Sequence, residues 1–172
     1  MAERHNTFRE GAFAGVIGAT AVAVWFLIID VVASRAFMTP NLLGRGLVSI
    51  LGASAAMMPD SIMAHVVVYT IFHYIAFGLV GIMMATVVHQ AERTPAVLAG
   101  FLLGFVAFEL GAVGLTALLM ESDYGGLAWY QIFIANLLAA SLMFWFMWKR
   151  HPRLGHDISV GLGGEDDTTG AV

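Results

Sequence analysis

A chain of 172 residues in which 59 % of side chains are hydrophobic and only 12 % are charged, with a mean hydropathy of +0.83, stands far from a soluble domain, whose charged share is roughly 25 %. Eight basic residues against twelve acidic ones, a net charge of −4, leave no basic aromatic patch for nucleic acid. The absence of cysteine excludes disulfides, thiolate metal sites and cysteine nucleophiles.

This composition predicts an all-α polytopic membrane protein, a four-transmembrane-helix bundle with a short outer interfacial or re-entrant helix between its first two spans. A bilayer core needs about 20 apolar residues in a helix. Four stretches reach that length: Gly11 to Val32, Ile62 to Val88, Pro95 to Met120 and Leu127 to Trp148. They form one membrane domain over residues 1–154, followed by an acidic, Gly-rich tail over 155–172 that reads as disordered.

The first span follows a short charged segment, as a signal peptide does. Its apolar run is about twice the signal core of roughly 7 to 15 residues and contains Asp30, so it reads as a retained helix. Gly11, Gly15, Ala19 and Ala23 recur every four residues, a stripe that lets helices approach closely in lipid. At 100° per residue Asp30 falls within about 20° of Ala19 and Ala23, which points it into protein.

The connection from Ala33 to Asp60 is too long for a tight turn. Thr39-Pro40-Asn41 signals a turn in it, and the apolar stretch Leu47 to Met58 is too short to span, so it reads as the outer surface or re-entrant helix. Asp60 or Ser61 is the expected N-cap of the second span. On that span His65, Tyr69 and His73 stand at i, i+4 and i+8, a single polar ridge.

The third span carries Glu109 near its middle, and an intramembrane carboxylate is a functional candidate by default. Glu109 lies about 140° to 180° from the small residues Gly100, Gly104, Ala107, Gly111 and Gly114, so this helix is expected to have neighbours on two sides. The fourth span carries Asn136, with Trp129 and Tyr130 at one end and Trp145 and Trp148 at the other, as two aromatic belts require.

At 1.5 Å per residue, His73 and Glu109 both lie roughly 18 Å below the outer ends of their helices, and Asn136 roughly 14 Å. Asp30 and His65 belong to an outer layer, with Tyr69 between the two. Arg4, Arg9, Arg93, Lys149, Arg150 and Arg153 fall on one side, against Arg35 and Arg45 on the other. The excess of basic residues marks the cytoplasmic side, so both termini are expected inside a bacterial inner membrane.

The candidate proton or cation site is therefore His73, Glu109, Asn136, Asp30, His65 and Tyr69, with a Glu–His and an Asp–His pair along a polar track. The competing reading makes these residues helix glue, worth about 0.6 kcal/mol per hydrogen bond. No cofactor is predicted. Haem fits poorly, since His65 and His73 share one helix roughly 12 Å apart along its axis. A di-metal carboxylate centre lacks its Glu-x-x-His pairs, while a single metal ion on His73 and Glu109 remains open. Clustered Met38, Met57, Met58 and Met63 offer weaker Cu(I) chemistry. His5, His151 and His156 lie in polar ends and read as solvated.

Hydrolase, zincin, P-loop and dinucleotide motifs are all missing from the sequence. The expected role is thus non-enzymatic: an accessory or transport-type membrane subunit, with a structural scaffold as the alternative and a haem- or metal-binding redox subunit third. Its partners are the lipid bilayer and either further copies of itself or a larger membrane complex, not nucleic acid.

Overall fold

The computed structural model describes residues 7–52, 61–91, 94, 97 and 129–151. All of the third expected span but Val97, including Glu109 and its glycines, lies outside these residues, as do the acidic tail, His5 and His156. Four helices are described: α1 (Thr7–Val32), α2 (Met38–Leu51), α3 (Ile62–Ala91) and α4 (Trp129–Arg150). Three of them, α1, α3 and α4, are long and apolar enough to cross a membrane. The expected bundle of four spans is therefore met in part, by three long helices, with the short α2 between the first two.

The helix ends differ from the apolar boundaries read in the sequence. Helix α1 starts four residues before Gly11, at Thr7, and α3 runs three residues past Val88, to Ala91. Backbone hydrogen bonding does not stop where hydrophobicity does, and the turns so added carry Glu10 and His89.

Helix α1 is the hub. Both α3 and α4 pack against it antiparallel and touch each other little. The α1–α3 contact rests on glycines: a Cβ on Gly81 would overlap the Gly11 carbonyl oxygen, and one on Gly15 would overlap the carbonyl oxygen of Phe77. Backbones meet there without intervening side chains, the arrangement small residues permit in lipid. Ala14, Met84, Ala85, Val88, Met143 and Met147 form one buried cluster, and Val22, Phe26, Ala135 and Ala139 a second. The outward faces carry exposed Phe13, Ile28, Ile71, Leu79, Leu137 and Phe144, as apolar solvent around the helices would require. Thr20 Oγ1 and Tyr74 OH, 3.1 Å apart, join α1 to α3, and the Trp25 indole donates to the Gln131 carbonyl of α4 at 3.1 Å.

The chain leaves α1 through a Schellman-type end. Ser34 is left-handed, with φ 56°; its N–H bonds the Val31 carbonyl, and the Arg35 N–H reaches back to Asp30 O at 2.8 Å. Thr39, Pro40 and Asn41 were expected to form a turn ahead of a later helix; they form the first turn of α2 instead. Proline is tolerated there because first-turn N–H groups have no intrahelical acceptor. Helix α2 lies against α3, with Gly44 so close to the His65 carbonyl oxygen that a Cβ would overlap it. The short helix expected from Leu47 thus begins nine residues earlier, at Met38. Ser61 caps α3 as expected, its hydroxyl accepting the Ala64 N–H at 3.2 Å.

Candidate functional site

Asp30 is 1 % exposed, in agreement with its expected inward direction. Both carboxylate oxygens accept from Thr39: the backbone N–H bonds Oδ2 at 2.7 Å and the hydroxyl bonds Oδ1 at 2.8 Å. A side chain near the end of α1 thus caps the start of α2. An anion is favoured at that position, because α2 presents unsatisfied N–H groups and the positive end of its dipole. His65, expected to pair with Asp30, places Nδ1 3.0 Å from Asn41 Oδ1 on α2. Contacts from Asp30 and His65 both fasten α2 to the long helices.

His73 is buried, and both ring nitrogens are engaged. Its Nε2 lies 3.1 Å from the Ala19 carbonyl oxygen; a carbonyl can only accept, so Nε2 carries the hydrogen. In the neutral ring Nδ1 is then the acceptor for the Tyr69 hydroxyl, 3.3 Å away. The ring also stacks with Tyr69 and leans on Phe77, at centroid distances of 5.3 and 4.7 Å. Asp30, Tyr69 and His73 line one largely apolar cavity of about 220 Å³ between α1, α2 and α3. Three of the six sequence-predicted residues are thus gathered around a common space; the Asp30–Thr39 and His73–Ala19 contacts cross-link helices, while Tyr69–His73 lies within α3. Asn136 is half-buried on α4, and the partnership of Glu109 with His73 lies outside the described residues.

A different carboxylate–imidazole group forms at the end of the bundle where α1 begins and α3 and α4 finish. Glu10 of α1, His89 near the end of α3 and His151, one residue past α4, each offer one ligand-capable atom, and these atoms lie within 4.8 Å of one another. Glu10 and His151 are each 4 % exposed. His151 was expected to be solvated; instead its Nε2 lies 3.1 Å from Glu10 Oε1. The His151 backbone N–H still bonds the Met147 carbonyl, at 3.0 Å, so the residue keeps the helical register of α4 and turns inward with it. His89 donates Nδ1–H to the Ala85 carbonyl one turn back, at 2.8 Å, which makes Nε2 the lone-pair nitrogen of the neutral ring. The rings of His89 and His151 meet edge to face, with centroids 4.8 Å apart.

Electrostatics at this end suit a mixed site. The carboxylate of Glu10 stands in the first turn of α1, the positive end of that helix dipole. His89 and His151 stand at the carboxyl ends of α3 and α4, where partial negative charge favours a cation. The neighbouring bases are drawn over aromatic rings: Arg9 over Phe13, Lys149 over Trp145 and Arg150 over Phe146. Glu10 Oε2 is buried and accepts no hydrogen bond from the described residues, a costly condition for a carboxylate oxygen.

Reading along the helices, a sequence signal for this group did exist. Ala135, Ala139, Met143 and Met147 are buried at intervals of four, and the next position in that series is His151. Glu10 lies four residues before buried Ala14, and His89 four after buried Ala85. Ending each span at its hydropathy boundary hid the continuation. Comparison of the chain with protein-family models, with curated proteins and with solved structures finds no match.

Proposed function

We propose that this chain is a transport-type or accessory subunit of a bacterial inner membrane that takes up a cation at a buried Glu/His site. The observation that carries this reading is the convergence of Glu10, His89 and His151 from three helices on one point. Such a group at one end of a membrane bundle is placed to receive a positive charge from the adjoining aqueous phase. The excess of basic residues near both ends supports a cytoplasmic side for that phase. The bilayer is the primary partner, with further copies of the chain or a larger complex completing the assembly.

The test is cation flux in liposomes reconstituted with the full chain and loaded with proton- and metal-sensitive dyes. Flux above that of protein-free vesicles, lost in Glu10→Gln, is the expected result. Wild-type vesicles no more permeable than protein-free ones would refute the transport reading. A scaffold role is the second reading, favoured by Asp30 and His73, whose hydrogen bonds tie helices together.

A further inference from the structure

We propose that Glu10, His89 and His151 bind a divalent first-row transition-metal ion of the Zn²⁺ class, through one carboxylate oxygen and two imidazole nitrogens. The proposal deepens the reading that this site takes up a cation, and it rests on that reading.

Donor chemistry selects the metal class. Mg²⁺ and Ca²⁺ demand shells of oxygen ligands, and soft Cu(I) sites call for thiolate or thioether donors. Two imidazoles with one carboxylate suit Zn²⁺, Fe²⁺ or Co²⁺. Three protein ligands also leave a fourth tetrahedral position for water or another ligand.

Geometry agrees with that choice. Bonds of about 2.0–2.2 Å to nitrogen and oxygen set tetrahedral ligand atoms a little over 3 Å apart. The three candidate atoms already lie within 4.8 Å, so shifts of side-chain torsions suffice to close the shell. The His151 Nε2 to Glu10 Oε1 hydrogen bond, 3.1 Å long, holds a proton between two of the donors; the metal takes the place of that proton.

Two further features belong to a built site. Glu10 is 4 % exposed, and its Oε2 lacks a hydrogen-bond partner among the described residues; a bound cation offsets the cost of burying it. The Nδ1–H of His89 donates to the Ala85 carbonyl at 2.8 Å, the outer-shell contact that fixes the tautomer and ring orientation of metal-binding histidines. A simple Glu10–His151 ion pair needs no second imidazole at the same height on a third helix. A metal ion uses all three.

The experiment is zinc titration of the untagged, detergent-purified full chain after chelator treatment, by calorimetry, with Co²⁺ substitution followed by its visible ligand-field bands. One ion per chain is expected. Affinity should fall in Glu10→Gln and in His151→Ala by more than the roughly 10- to 100-fold that loss of an outer-shell hydrogen bond produces. Glu10→Gln is close to isosteric, and unchanged helicity and a monodisperse gel-filtration profile show that its fold is kept. His73→Phe, remote from the site, should bind as wild type does.

Wild-type protein that binds neither Zn²⁺ nor Co²⁺ overturns the proposal. So does equal binding by wild type and a Glu10→Gln/His89→Ala/His151→Ala variant, because the ion then sits elsewhere, for instance on the acidic tail. Zinc bound without flux in liposomes supports the metal site and removes the transport reading. Proton flux without zinc binding does the reverse.

Discussion

Replacing Asp30 separates a cap from a proton carrier. In Asp30→Ala, Thr39 loses a 2.7 Å acceptor for its N–H and a 2.8 Å acceptor for its hydroxyl, and Thr39 is itself only 4 % exposed. A hydrogen bond to a charged group contributes about 1.5–3 kcal/mol. Two such bonds, discounted because water reaches the freed groups once α2 lifts, give a loss of about 3–4 kcal/mol. That corresponds to local opening of α2 increased by roughly 100- to 1,000-fold, at 1.4 kcal/mol per decade. Asparagine has the same shape and can serve both partners: Oδ1 accepts the Thr39 N–H, and the amide donates to the Thr39 hydroxyl oxygen. Asp30→Asn should therefore cost about 1 kcal/mol or less, through loss of the charge at the α2 N-terminus. Hydrogen exchange of the α2 amides in detergent, with thermal unfolding alongside, measures the difference. Asparagine as damaging as alanine would refute the capping account and return Asp30 to a role that needs its ionised form.

Packing and the role of His73 can be tested in the same preparation. Gly81→Ala should force α1 and α3 apart, because the added methyl overlaps the backbone of Gly11 and Gly15; a loss of about 1–3 kcal/mol is expected from such overpacking, read as a lower unfolding midpoint, and an unchanged midpoint would contradict the close crossing. His73→Phe removes the bonds to Ala19 and Tyr69 yet keeps a ring beside Phe77, so a cost of about 0.6–1.7 kcal/mol is expected, with liposome flux unaffected. Abolished flux in a well-folded His73→Phe protein would instead move the functional site to the bilayer centre.

Each long helix was legible because its length and composition are properties of a continuous stretch. Hydropathy alone located the bodies of α1, α3 and α4, the serine ahead of α3 announced its cap, and angular position relative to Ala19 put Asp30 inside. None of these needs knowledge of another element. What Asp30 and His65 touch was not legible, because it depends on α2 folding back over the ends of α1 and α3, and the expected turn at Thr39-Pro40-Asn41 concealed where α2 begins.

The Glu10–His151 contact joins residues 141 positions apart. Sequence can show that each continues a buried stripe of its own helix, but no periodicity states which residue of one helix lies level with which residue of another. That level is set by the α1–α3 glycine crossing and by Met143 and Met147 packing onto α1. Composition and spacing are enough to specify a membrane-spanning, helical, cysteine-free chain with inward-facing polar residues. Which of them meet follows from the tertiary structure, because helix register is set by backbone approach at small residues, and His151, read as solvated, joins Glu10 and His89 in one group only when three helix termini close on one another.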